Sequence, residues 1–156
     1  MIGSRITASS FKTFFLYLVI VFGSTASMPE SVFPADFQSA RRSMVEDQIK
    51  QRGIHDEAVL KALLKVPRHL FVEPEYLSRA YSDFALPLKE NQTISQPYTV
   101  AFQTQLLDLK PYEKVLEVGT GSGYQAAVLT LMEADVYTIE RQRDLFKKTK
   151  DFLPKL

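Results

Sequence analysis

The 156-residue sequence contains no cysteine. That excludes disulfides, thiolate metal sites and a cysteine nucleophile, and it leaves the redox compartment open. An excess of one charge is also missing, since 19 Lys and Arg face 18 Asp and Glu for a formal net charge of +1. No run of like charge exceeds a few residues, so nothing suggests the electrostatic footprint of a nucleic-acid or anionic-membrane binder. His55 and His69 are the two histidines; neither has partners at metal-ligand spacing, and no metal is expected. The apolar run Phe14 to Phe22 is too short to span a bilayer comfortably.

What is present starts with that run. Arg5 and Lys12 flank its N-terminal side, and the small residues Gly23-Ser24-Thr25-Ala26-Ser27 follow it. This is the layout of a secretory signal peptide. Residues 1–27 are therefore read as a targeting leader and 28–36, with Pro29 and Pro34, as a linker. Export, to a periplasm for example, is the expectation, against a lipid-embedded anchor or a misassigned start codon. The remainder, 37–156, has room for one domain.

That domain is organised around Val115-Leu116-Glu117-Val118-Gly119-Thr120-Gly121-Ser122-Gly123-Tyr124. The aliphatic stretch reads as a buried parallel strand, the glycines as a tight turn, and Gln125 to Met132 as a helix. A dinucleotide loop needs G-x-G-x-x-G, so that pyrophosphate can rest on the helix N-terminus. Here the third glycine falls one place early, at Gly123, and Glu117 puts negative charge two residues before Gly119. Such a loop suits a cationic ligand. A second strand, Asp135 to Ile139, ends in Glu140, about 20 residues after the loop, where an acid can accept ribose hydroxyls.

Upstream, Phe37 to Arg52 reads as an amphipathic helix ended by Gly53, with Phe37, Ala40, Met44, Val45 and Ile49 on one face. Asp56 caps a second helix, apolar at Ala58, Val59, Leu60, Leu63 and Leu64 and stopped by Pro67. His69 reads as a hydrogen-bonded structural histidine. Leu86–Leu88 and Gln92–Ile94 pair as a hairpin over Lys89-Glu90-Asn91. A helix from Pro97 to Leu107 then directs Val100, Phe102 or Ala101, Leu106 and Leu107 to the core. Ser95 or Gln96 serves as its N-cap without any function being required.

The E-x-G-x-G-x-G pattern resembles the first motif of the class I methyltransferases. Pro67-Arg68-His69-Leu70-Phe71-Val72, Ala80-Tyr81-Ser82-Asp83 and Gln92-Thr93-Ile94-Ser95-Gln96-Pro97-Tyr98-Thr99-Val100-Ala101, followed by that motif, resemble in order and spacing the protein-L-isoaspartate O-methyltransferases from roughly Ser39 onward. The resemblance implies an α/β, Rossmann-like class I fold and methyl transfer from S-adenosyl-L-methionine to the α-carboxyl of L-isoaspartyl residues in damaged proteins. It implies a monomer with a cytoplasmic location as the family default. Ser95 becomes the active serine, with Thr93, Ile94 and Gln96 positioning substrate. Glu117, Gly119, Thr120, Gly121, Gly123 and Glu140 would bind the cofactor. It also implies a seven-stranded sheet, of which only two strands are legible before Leu156. An incomplete domain, with weak or no activity of its own, is therefore expected. The alternatives from other classes are a nicotinamide oxidoreductase, disfavoured by Gly123 and Glu117, and a non-catalytic exported binding domain.

Overall fold

A computed structural model describes residues 36–155; the leader and residues 28–35 of the linker lie outside the described residues. The first helical run opens as α1 (Phe37–Ser43), capped by the Asp36 carboxylate, which accepts from the Gln38 and Ser39 amides. It widens to π-helical pitch over Met44–Ile49, tightens to a 3-10 turn over Lys50–Arg52 and ends at Gly53. One continuous helix was expected. The change of pitch still buries Met44, Val45 and Ile49 completely, so the apolar stripe is in place. Asp56 caps α2 (Glu57–Lys65) through the Ala58 and Val59 amides. Val66 leaves the helix in an extended conformation, as a residue before proline must.

Two 3-10 turns, Arg68–Phe71 and Pro74–Arg79, lead to the hairpin β1 (Leu86–Pro87) and β2 (Thr93–Ile94), antiparallel with Leu86 opposite Ile94. Its turn is closed by the Leu88 amide on the Gln92 carbonyl at 2.8 Å. Next comes α3 (Pro97–Leu106). The expected register of α3 needs correction at Phe102, Leu106 and Leu107, which are exposed; Pro97, Val100, Ala101 and Thr104 face inward. The helix is apolar on several sides, so periodicity did not define its buried face. Thr104 tolerates burial because its hydroxyl donates to the Val100 carbonyl and accepts from Gln125 Nε2.

The βαβ unit follows as β3 (Lys114–Val118), α4 (Tyr124–Leu131) and β4 (Asp135–Ile139), with β3 and β4 parallel and Glu117 opposite Thr138. The last helix is α5 (Arg143–Phe152). The helix α2 packs on α3 and α4. Phe71 meets Tyr124 and Phe152 edge-on, with centroids 5.4 and 5.3 Å apart. Burial of β3 also departs from expectation. Lys114, Leu116 and Val118 are exposed, as are their opposites Asp135, Tyr137 and Ile139, because no second layer covers that face among the described residues.

Candidate active site

The glycine loop lies between the C-terminal ends of the two parallel strands, where open α/β sheets present ligands. Its amides are largely committed. Gly119 N and Thr120 N both donate to the Ile139 carbonyl, at 2.8 and 3.1 Å, and Gly123 N donates to the Thr120 carbonyl at 2.8 Å. Gly121 N donates to Glu140 Oε2 at 2.8 Å. A phosphate cradle needs free N–H groups, and four of the five loop amides are already used, one of them by a carboxylate. The loop as built is matched to a ligand without phosphate.

Two acids flank it with opposite electrostatics. Burial pushes the Glu117 carboxyl above its ordinary range; the nearby Glu140 charge adds to this, and a hydrogen bond from Thr138 opposes it. That bond, from Thr138 Oγ1 to Glu117 Oε2, is 2.6 Å long, and Thr120 Oγ1 lies 2.6 Å from the same Thr138 oxygen. A chain of hydroxyls therefore joins the strand acid to the loop. Burial also acts to raise Glu140, but N–H groups of Gln142, Gly121 and Arg141, with the Arg141 charge, outweigh it and hold this carboxyl below its ordinary range. Each Glu140 oxygen takes one backbone amide, Gly121 N or Gln142 N. A carboxylate has lone pairs to spare beyond two such bonds, so ribose hydroxyls can still be accepted.

A cavity of about 410 Å³ opens here, lined by Val118, Gly119, Ile139, Glu140, Arg141 and Gln142, with Gln92 from the hairpin side. Its size is that of a small-molecule site, roughly 300–1,000 Å³. The hairpin turn also approaches the loop, Leu88 Cδ1 lying 4.0 Å from where a Cβ on Gly121 would stand. From the other side Thr149 of α5 donates its hydroxyl to the Gly121 carbonyl at 2.8 Å. Loop, β4 end and hairpin thus form one locale.

Past β2, Ser95 is exposed, and among the described residues its hydroxyl has no hydrogen-bond partner. Thr93 is exposed and Ile94 is buried in the core, so Ile94 can offer a ligand only its backbone. Gln96 occupies the N-cap position of α3, but its side chain is turned to Asp83, donating to the carbonyl at 3.0 Å and to Oδ2 at 2.9 Å. Asp83 was not singled out from the sequence. It also accepts from the Tyr98 amide at 3.0 Å and pairs with Arg52. Gln92, Thr138 and Thr149 escaped the sequence reading too. Only Thr138 left a signal, since strand alternation puts it on the Glu117 side once the β3–β4 register is known. His69 stacks on Phe37 at 4.1 Å and bonds the Tyr81 hydroxyl at 2.7 Å, the behaviour of a structural residue. No group of three or more His, Cys, Asp and Glu able to hold a metal occurs among the described residues.

The family described as Protein-L-isoaspartate(D-aspartate) O-methyltransferase (PCMT) matches residues 39–156. The chain belongs to the protein-L-isoaspartate O-methyltransferase family. Among curated members of that family it is 59% identical over 119 residues to the protein of Christiangramia forsetii, covering 76% of this chain and 55% of the relative. It is 54% identical over 121 residues to that of Geobacter metallireducens, covering 78% of this chain and 56% of the relative. The chain spans about half the length of the curated protein-L-isoaspartate O-methyltransferases it matches. A solved protein-L-isoaspartate O-methyltransferase superposes with a TM-score of 0.66 at 30% identity, over 74% of this chain and 38% of that one. A second, described as a beta-aspartate methyltransferase (PCMT) of Plasmodium falciparum in complex with S-adenosyl-L-homocysteine, gives 0.59 at 25% identity, over 76% and 55%. The architecture is that of the Rossmann-like class I methyltransferases, present in part.

Proposed function

We propose that the chain serves protein repair, moving a methyl group from S-adenosyl-L-methionine to the α-carboxyl of L-isoaspartyl residues in damaged proteins. The observation that carries this is the glycine loop, most of whose amides are already used and whose neighbours are two carboxylates, with the β1–β2 hairpin alongside through Gln92. That donor set fits a positively charged, phosphate-free ligand bearing a ribose. The Plasmodium falciparum neighbour, with S-adenosyl-L-homocysteine bound, supports the same cofactor class. Bound here, S-adenosyl-L-methionine would supply a methyl group activated by a sulfonium charge.

The residues divide the remaining work. Glu117 and the backbone from Gly119 through Thr120 and Gly121 to Gly123 hold the amino-acid end of the ligand, and Glu140 takes the ribose hydroxyls. The free Ser95 hydroxyl and the backbone of Thr93, Ile94 and Gln96 hold the acceptor carboxylate. No strong general base is required, because a carboxylate is already ionised at neutral pH. Position supplies the rate: the acceptor oxygen must be held close and in line, with water excluded.

A second reading is favoured by the exposed apolar face of β3 and β4, which a parallel sheet ordinarily covers. On that reading the chain is an inactive fragment, or an exported binding domain without turnover. The leader makes export part of the proposal, and N-terminal sequencing of protein recovered from expressing cells would reveal a start near Met28 if it is removed. The central experiment is transfer from labelled S-adenosyl-L-methionine to an L-isoaspartyl peptide, with the L-aspartyl twin as control. Slow but selective labelling of the isoaspartyl peptide supports the repair reading, in keeping with the weak activity expected of this chain; a well-folded chain that labels neither favours the binding domain.

A further inference from the structure

Arg68 is fully buried, the most costly place for a charge that cannot be neutralised. What it does there is specific. Nε donates to the Ala80 carbonyl at 2.8 Å and Nη2 to the Ser95 carbonyl at 2.8 Å. The guanidinium lies 4.8 Å over the Tyr124 ring, at the first turn of α4. Ser95 precedes the N-cap of α3, and the first turn of that helix closes on the Gln96 carbonyl at 3.1 Å. The Ser95 carbonyl is therefore left outside the helical ladder and needs a partner from elsewhere. Arg68 supplies it.

The same two segments are tied a second time. Asp83, three residues after Ala80, accepts from the Gln96 side chain and the Tyr98 amide. The 80–83 turn and the 95–98 segment are thus joined by a buried guanidinium at one end and a carboxylate at the other. We infer that Arg68 is a positioning residue for the acceptor side of the site, fixing through one planar fork the backbone that presents the Ser95 hydroxyl. This inference rests on the assignment of Ser95 to the acceptor site. A lysine could keep the charge but has no rigid fork with which to reach two carbonyls on different segments. An apolar residue could fill the space but would strand both carbonyls.

The test uses the whole chain with Arg68→Lys and Arg68→Gln, the second keeping two donors without the charge, and Tyr124→Phe as a neighbour control. Amide hydrogen exchange is followed beside affinity for an L-isoaspartyl peptide and for S-adenosyl-L-methionine. The expected result for both Arg68 variants is faster exchange confined to residues 80–83 and 93–98. Peptide binding should weaken on the order of a hundredfold, as for a misplaced site, with affinity for S-adenosyl-L-methionine within about twofold and Tyr124→Phe like the parent. Uniform loss of protection across β3 and β4, or outright failure of both variants to fold, would make Arg68 a general stability element and overturn the inference. So would unchanged exchange at 93–98. If the parent chain binds no isoaspartyl peptide, the acceptor-site reading falls, and the exchange pattern alone still decides whether Arg68 fixes the Ser95 segment.

Discussion

At the scale of single residues, Ser95, Glu117 and Glu140 carry the separable claims. Ser95→Ala removes an exposed hydroxyl with no partner among the described residues, so the fold should be untouched. The kcat/KM for an isoaspartyl peptide is expected to fall about ten- to a hundredfold, the worth of a hydrogen bond to a charged group; unchanged turnover would remove Ser95 from the mechanism. Glu117 and Glu140 should differ in their pH behaviour. Burial raises Glu117, so ionising it costs the folded state, and its contribution to stability falls as pH rises from the unfolded value through the folded one. Glu140 is lowered, so it stabilises above its unfolded value, and that contribution is lost as pH falls through the folded one. Affinity for a cationic ligand should accordingly decline on acidification beginning above the ordinary carboxylate range. Glu117→Gln should abolish that limb of the profile, as titration calorimetry with S-adenosyl-L-methionine would reveal. The sequence made the two acids and the glycines legible because their spacing is local. Arg68 was invisible as a strut, since its partners Ala80 and Ser95 lie 12 and 27 residues away and are backbone atoms, which carry no side-chain signature. Asp83 was hidden by distance alone, its partners Arg52, Gln96 and Tyr98 lying 31, 13 and 15 residues away.

At the scale of elements, local chemistry was read well wherever it was self-contained. The caps at Asp56 and Gly53, the break before Pro67, the hairpin turn and both parallel strands stand where the sequence put them. The register of α3 held at Val100 and at Ala101, the alternative to Phe102, and failed at Leu106 and Leu107, because Phe102, Leu106 and Leu107 form a competing apolar side that the tertiary structure leaves exposed. The glycine loop allows a sharper comparison. Gly119 has φ +98° with open space around an added Cβ, whereas Gly123 has φ +84° and would place that Cβ 2.9 Å from both Leu153 and Thr149 side-chain carbons. Both alanine variants incur left-handed backbone strain, about 1–2 kcal/mol. Gly123→Ala adds overpacking against α5, typically another 1–3 kcal/mol, so its midpoint in urea should drop clearly further than that of Gly119→Ala. Equal losses would mean that α5 does not press on the loop in solution.

At the scale of the whole molecule, the sheet is the exposed feature. Leu116, Val118, Tyr137 and Ile139 are 64, 76, 52 and 53% accessible and stand on one face of β3 and β4. Two parallel strands bring one row of ladder bonds and, among the described residues, leave an apolar surface where α/β folds place a helical layer. Contiguous exposed apolar surface of this kind drives association. The chain should therefore bind a hydrophobic dye and elute in size-exclusion chromatography with concentration-dependent retention. Leu116→Thr combined with Tyr137→Thr changes a directly opposed pair and keeps residues that favour strands. Because both side chains are more than half exposed, the double variant should keep its unfolding free energy within about 0.5 kcal/mol per site while dye binding and association fall together. Dye binding that did not change would mean that this face is covered in solution, and the physical basis for an associating sheet would be gone.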